Sequence, residues 1–246
     1  MSSISLEHDR GIVLANFPHN DGRRIVKLFS RALGVVGLWV SEGKGKNRQV
    51  GKWHPGAILG FRGLSRKSSE GLIHFKEAQY EHLMNGVLAD PRKSSLVFFL
   101  SEILLKVLPE ESEHAALFDC YMTTLLQIEE ENKLGWIHVR FLGQMIRILG
   151  IAPEKPDRPE SHGILDLTNG DWKSEMGVEL EHLPPSLARW FVEFCTEKVV
   201  SPVGLSPEER KRILLAQVRY LQHHLGGLKE IKSFEVLEAV FEGMDR

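Results

Sequence analysis

The sequence has little cysteine and no long apolar run. Its two cysteines, Cys120 and Cys195, form no CxxC pair, which argues against a disulfide framework and against a cysteine-based metal site. No apolar run approaches the roughly 20 residues that span a bilayer. Residues 1–10 lack the basic start and apolar centre of a signal peptide. These absences predict a cytoplasmic protein with buried free thiols and no membrane contact.

Motifs that carry catalysis are also missing. The sequence has no GxSxG, no GxxxxGK[ST] and no GxGxxG between a strand and a helix, so hydrolase, P-loop and dinucleotide sites are not predicted. Its 11 histidines include an adjacent pair, His223 and His224, whose side chains would diverge on a helix, and an isolated His138. We therefore predict a protein that is not an enzyme, with no catalytic residue, no metal and no cofactor.

What the sequence does have is an uneven distribution of charge. Residues 1–79 carry 13 lysine and arginine residues against 6 acidic ones, whereas residues 80–246 carry 18 against 27. The net charge of −2 for the whole chain hides this division. A basic half beside an acidic half indicates that the first meets a polyanion.

The basic half has the pattern of short strands separated by turn-forming residues. Strands are predicted at residues 11–16, 24–30, 34–41, 56–64 and 72–79. Five short strands without a helix-length periodic segment predict a small barrel, and the OB-fold is the commonest five-stranded candidate. We expect this nucleic-acid-binding domain to cover residues 1–80.

After residue 90 the apolar period becomes that of helices. Helices are predicted at residues 91–108, 112 to about 131, 136–149, 185 to about 198, 206–225 and 233–243. Residues 164–172 predict a short hairpin with an Asn-Gly turn. The fold class is therefore α+β: an N-terminal OB barrel, then an all-α domain over residues 81–246 with a small hairpin insertion.

A basic loop rich in glycine is the sharpest functional signal. Lys44, Lys46, Arg48 and Lys52 alternate with glycines that let a backbone approach phosphates closely. Trp39 and Trp53 flank this loop and are candidates for stacking on bases. The pattern favours nucleic-acid binding through the phosphate backbone, with strong salt dependence. The alternative is a solvated basic face on an ordinary barrel.

Several short segments near both ends of the chain occur in an order that is characteristic of one protein family. They are GIVL at 11–14, IVKLFS at 25–30, GKGK at 43–46, WHPGAIL at 53–59, RILL at 212–215, YLQHHL at 220–225 and IKSFEVL at 231–237. Together they resemble the RecO family of bacterial recombination mediators. The resemblance covers both ends and agrees with a helical middle, so it supports the OB barrel.

The resemblance implies a protein of DNA repair and recombination that anneals complementary strands without enzymatic turnover. Its implied partners are single- and double-stranded DNA, RecR and the acidic C-terminal tail of single-stranded DNA-binding protein (SSB). RecA is an indirect partner, helped to replace SSB, and the implied location is cytoplasmic and nucleoid-associated. With the charge division, it leads us to predict these DNA contacts: Arg23, Arg24, Lys27, Lys44, Lys46, Arg48 and Lys52.

One departure from the family lies in the helical half. Many RecO proteins carry a four-cysteine zinc module there, but residues 152–185 contain no cysteine. We expect the predicted hairpin to take its place and packing to brace it. For the SSB tail, Arg140 and Arg147 share a helix face, with Phe141, Leu142 and Met145 as an apolar floor. These arginines are also compatible with an ordinary helix surface.

Two other functions stay open from the residues alone. The barrel is equally suited to RNA, which a competition between RNA and DNA would separate. The acidic helical half is suited to a scaffold that binds proteins only, in which case the basic barrel would show no affinity for nucleic acid.

Overall fold

The computed structural model describes residues 5–19, 22–41, 50–66, 72–154, 163–174, 181–196, 202, 204–226, 228 and 230–244. The chain divides into two compact units. The first combines Met1–Glu131 with Glu230–Arg246, and the second is Asn132–Lys229. The predicted functional division at residue 80 is a different one and stays a prediction.

The first unit contains the predicted barrel. Its strands are β1 (Ser5–His19), β2 (Arg23–Ser30), β3 (Gly34–Ser41), β4 (Ile58–Arg66), β5 (Ile73–His74) and β6 (Glu77–His82), with a 3-10 turn at Val50–Trp53. The long strand β1 pairs with both β2 and β4, and β3 pairs in parallel with β5, which in turn pairs with β4. These pairings close the ring and confirm the OB-fold.

The fifth predicted strand is interrupted. A break after His74 divides it into β5 and β6, both of which pair with β4. The barrel interior is filled by alternate residues of the strands, including Val26, Leu28, Leu38 and Val40, all at most 3% exposed. Because side chains alternate along a strand, the residues between them face outwards.

Among the described residues, four helices belong to the first unit. They are α1 (Asn85–Ala89), α2 (Pro91–Val107), α3 (Ala115–Glu130) and α7 (Lys232–Met244). The helix predicted to begin at Ser112 begins three residues later, because that segment first follows the barrel: Glu111 N–H donates to the Val35 carbonyl at 3.0 Å. Phe29, on the outside of β2, packs edge-to-face on Phe118 of α3, with ring centroids 5.4 Å apart. Helices thus cover part of the outer barrel wall.

Helix α7 is held by a carboxylate from α2. Glu102 accepts hydrogen bonds from the backbone N–H groups of Lys232 (3.2 Å) and Ser233 (2.8 Å), at the N-terminus of α7. It also pairs with Lys106 at 2.6 Å. Burial alone would raise the pKa of Glu102, but the hydrogen bonds from Lys106 and Ser233 lower it to about 2. The Glu102 carboxylate therefore caps a helix that is distant in sequence.

The second unit contains α4 (Ile137–Ile148), α5 (Pro185–Thr196) and α6 (Pro207–His224), with a small sheet of β7 (Ile164–Asp166), β8 (Trp172–Lys173) and β9 (His182–Leu183). The predicted capping box is present at the start of α6: Ser206 and Glu209 bond to each other's backbone N–H groups. The predicted hairpin is β7–β8, and β9 adds a third strand that the sequence analysis did not foresee.

Hydrogen bonds to one carboxylate organise the hairpin turn. Asp166 is 1% exposed and accepts from the backbone N–H of Thr168 at 2.9 Å and from the Asn169 side chain at 2.8 Å. Burial would raise its pKa, but these hydrogen bonds lower it below the usual value. Tyr220 of α6 donates to the Ile151 carbonyl at 2.6 Å. Polar contacts as well as packing therefore brace this region.

Among the described residues, no helix combines the length and apolar character needed to cross a lipid bilayer.

Candidate nucleic-acid interface

The outer surface of β1, β2 and β3 presents two cross-strand rows near the ends of these strands. In one row Phe17 pairs with Ile25 and Ile25 with Trp39. Directly opposite residues of antiparallel strands point to the same face, so each row lies on one side of the sheet. The open face, as we call it, consists of Phe17, Ile25 and Trp39 with the next row, His19, Arg23 and Ser41.

Aromatic and basic groups meet on this open face. Phe17 is 48% exposed, so a large part of its ring is in contact with solvent. The Arg23 guanidinium lies over the Trp39 ring, 5.4 Å from its centroid, and the His19 ring meets Trp39 edge-on at 5.0 Å. Arg23 makes no ion pair with any described residue, and no open-face position is acidic. Such a group of aromatic and cationic side chains is suited to a ligand that has both negative charge and exposed aromatic rings of its own.

Lys27 lies one step further along the same outer side of β2, but its charge is neutralised. Its ammonium forms an ion pair with Glu110, which lies between α2 and α3. The predicted DNA contact at Lys27 is therefore shared with a carboxylate of the protein itself.

Arg24 and Lys52 are partly committed to the barrel. Arg24 is on the opposite side of β2 from Arg23, and its Nε donates to the Asn16 side chain at 2.5 Å. Lys52 donates to the Ala78 carbonyl of β6 and lies 5.8 Å from the Tyr80 ring centroid. Burial lowers the pKa of Lys52. Neither side chain lies on the open face, so both predicted contacts require a different approach by DNA.

The other three predicted contacts, Lys44, Lys46 and Arg48, lie outside the described residues. They follow Ser41, the last residue of β3, which pairs with Arg23. The sequence therefore attaches this basic loop to the strand end that belongs to the open face.

The expectation that Trp53 stacks on bases is wrong for this structure. Trp53 is 1% exposed and belongs to the barrel core. Its ring centroid lies 6.4 Å from that of Phe61 and 5.6 Å from that of Phe75. Trp53 is the last residue of a short 3-10 turn, and its indole ring is buried in the barrel interior instead of facing solvent. The open-face residues Phe17 and His19 lie beyond the first predicted strand, which ended at Asn16, whereas β1 continues to His19.

A second basic region lies on the barrel beside β1, β4 and β6. It is an open groove of about 670 Å³, and three of its described lining residues are arginines. We call it the paired groove because each arginine has an acidic partner: Arg10–Glu81 at 3.0 Å, Arg31–Asp119 at 2.9 Å and Arg62–Glu77 at 3.7 Å. The basic surplus of the first 79 residues is therefore partly neutralised by the fold.

The predicted tail site in the second unit loses its apolar floor. Phe141 is 1% exposed, and Leu142 and Met145 are fully buried, so these side chains form the core and not a surface pocket. Arg147 is exposed and bonds to the Gln144 side chain, whereas Arg140 is half-buried.

An aromatic group beside α4 was missed by sequence analysis. The half-buried Trp136 stacks on Phe194 with centroids 5.7 Å apart, and Arg210 lies 5.7 Å from the Trp136 ring centroid. These residues come from three separate segments, so no local spacing could indicate the group.

No group of three metal-ligating side chains is present among the described residues.

Comparisons with known proteins agree with this architecture. The family model for the N-terminal part of recombination protein O matches residues 1–83, and the model for its C-terminal part matches residues 88–233. The chain belongs to the RecO family. The boundary between the two RecO matches coincides with the change from the last barrel strand to the first helix.

Relatives in this family are similar over nearly their whole length. The chain is 27% identical to a DNA repair protein RecO of Azobacteroides pseudotrichonymphae, covering 95% of this chain and 98% of the relative. It is also 27% identical to a DNA repair protein RecO of Phocaeicola vulgatus (96% and 99% covered) and 25% identical to one of Flavobacterium psychrophilum (94% and 98% covered).

Proposed function

We propose that this RecO-family chain acts in recombinational DNA repair by binding DNA through the open face and the adjoining basic loop. The single observation that supports this most is the open face itself, where exposed aromatic and basic groups occur without any acidic residue. A polyanion approaching it meets no carboxylate at any of the six described open-face positions. The protein works by binding and not by turnover.

As a mediator, the chain anneals complementary strands and helps RecA replace SSB on single-stranded DNA, with RecR as a partner. We infer these steps from membership of the RecO family, and we propose that they take place in the cytoplasm, at the nucleoid. Annealing requires neutralisation of the phosphates of two strands, which a basic barrel surface can supply.

Fluorescence anisotropy with labelled single- and double-stranded oligonucleotides, repeated over a series of salt concentrations, tests the DNA proposal. Replacing Lys44, Lys46 and Arg48 together by glutamate should weaken binding and reduce the magnitude of the slope of log K against log salt by about 2 to 3, since each lost phosphate contact removes roughly 0.7 to 0.9. The control variant carries K44R, K46R and R48K, which keep the charge. Unchanged binding by the glutamate variant would refute the assignment of the loop.

Two further outcomes separate the alternatives. If RNA of the same length displaces DNA at equal concentration, the barrel does not distinguish the two nucleic acids. If the full chain binds neither nucleic acid at low salt, a protein scaffold becomes the better account of the family resemblance.

For the SSB tail we propose Arg140 and Arg147 as the basic contacts, with the half-buried Trp136 replacing the buried Phe141 as the apolar surface. An acidic peptide that ends in an aromatic residue suits such a combination. The stacked ring of Trp136 and its arginine neighbour Arg210 support this choice. Anisotropy of a labelled acidic peptide tests it: a double variant R140A, R147A that binds the peptide as tightly as the parent would rule these contacts out.

A further inference from the structure

Phe17 differs from a single scattered apolar side chain at the surface, because its cross-strand neighbours are apolar as well. A phenylalanine that is 48% exposed on a strand leaves a large apolar surface in water. Its cross-strand neighbours Ile25 and Trp39 extend this surface into a row across three strands. Exposed apolar patches of this kind mark surfaces that bind a partner.

The surroundings of this row indicate the chemistry of the partner. Arg23 lies over one ring of the row and has no carboxylate partner among the described residues. The partner must therefore combine flat apolar faces with negative charge. Nucleobases joined by phosphates have both properties, and a guanidinium beside an aromatic ring matches both at once.

We propose that Phe17 and Trp39 stack on unpaired bases of a single DNA strand while Arg23 contacts its phosphates. In a duplex the base faces are hidden by stacking, so an exposed aromatic ring can reach them only in a single strand. The two rings come from strands separated by β2, which places them roughly 10 Å apart. Each ring can thus contact a different base.

This arrangement deepens the proposed function, on which it rests. A base that is held by its face keeps its Watson–Crick edge available for pairing. The open face would then hold a strand in a form that a complementary strand can still read. Phosphate contacts alone would not distinguish this form from a duplex.

The test compares a single-stranded oligonucleotide with an abasic analogue of the same length, which keeps every phosphate and lacks every base. Anisotropy of the full chain should show tighter binding to the strand with bases. The variant F17A should weaken binding to that strand about five- to tenfold, near the lower end of what base stacking provides. Its binding to the abasic strand and its salt slope should stay unchanged, because no charge is removed.

Two variants control for indirect effects. F98A removes a side chain of similar exposure (51%) from α2 and should leave both strands bound as by the parent. F17L keeps an apolar side chain on β1 without an aromatic ring and should behave like F17A. Thermal melting checks that each variant is folded.

The proposal is overturned if the parent binds both strands equally, or if F17A and F17L keep the full preference for bases. Either result would leave DNA binding through phosphates intact. Failure of the parent to bind any strand at low salt would instead contradict the proposed function itself.

Discussion

The open face and the paired groove belong to the same barrel, yet they present their basic residues in different ways. In the paired groove, Arg10, Arg31 and Arg62 each meet a carboxylate within 4 Å. On the open face, Arg23 lies over an aromatic ring and forms no ion pair with any described residue. The number of basic residues in a sequence segment is therefore a poor measure of its surface field. What matters is which basic groups the fold leaves without a countercharge.

Charge reversal at one residue of each region tests this comparison most strongly. R23E should weaken DNA binding about tenfold or more, because it removes a phosphate contact and adds repulsion. R62E, in the paired groove, should change the affinity less than about twofold, since Arg62 faces Glu77. Anisotropy at one moderate salt concentration measures both. Equal losses for the two variants would mean that the groove binds DNA as well.

A smaller change in DNA affinity is expected at Lys27, which is close to the open face but, like the arginines of the paired groove, has an acidic partner. Lys27 lies beside the open face but pairs with Glu110. E110Q removes the countercharge, so we expect DNA affinity to rise about two- to fourfold and the salt slope to steepen by up to about 0.9. The double variant E110Q, K27Q should return to the parent value or below it. A rise that persists in the double variant would show that Glu110 acts on DNA without Lys27.

The smallest effect is expected from the acid titration of the groove. Hydrogen bonds from Arg31 lower the pKa of Asp119 below its usual value. Its stabilisation is therefore present above about pH 4, where the unfolded carboxyl is charged, and is lost as the pH falls through the folded pKa. Because this pair is exposed, urea unfolding of D119N should differ little from the parent at pH 7.

Glu102 provides the matched comparison for that titration. With a folded pKa of about 2 against an ordinary value of 4.5, it stabilises the protein fully above about pH 4.5 and progressively less towards pH 2. E102Q should lower the free energy of unfolding at pH 7 by about 1–2 kcal/mol, allowing for partial exposure, and should flatten its decline in acid. A larger effect from D119N than from E102Q would contradict the expectation that the exposed Arg31–Asp119 pair stabilises the protein less than the partly buried Glu102 cap.

Much of the fold could be predicted from local patterns. Alternation predicted the strands, and the Ser206–Glu209 capping box predicted the start of α6. The failures occurred where tertiary contacts override local preference. The segment at Ser112 follows β3 before α3 begins, and its closeness explains the need for glycine at residue 34: a Cβ there would lie 2.0 Å from the Ser112 carbonyl oxygen. With a φ of 74°, Gly34 also has a backbone conformation that other residues rarely adopt.

The candidate site was harder to predict than the fold. Net charge identified the basic half, but the pairing of Lys27 with Glu110 joins residues 83 positions apart. Whether a tryptophan faces solvent or the core also depends on strand register and turns. The register of β3 places Trp39 on the outer side of the barrel, and a 3-10 turn places Trp53 in the core. Phe17 follows the predicted strand end, and only the continued pairing of β1 with β2 shows that it belongs to the face.

The capping of α7 by Glu102 has a consequence for how the protein is made. During synthesis, the barrel and α1–α3 leave the ribosome first, then all of the second unit, and α7 last. Until that moment Glu102 lacks its two backbone donors, and Phe99 of α2 lacks Phe234, whose ring lies 5.9 Å away in the finished protein. A nascent chain that stops before residue 232 therefore has an incomplete first unit. The first unit can be completed only after the whole second unit has been translated.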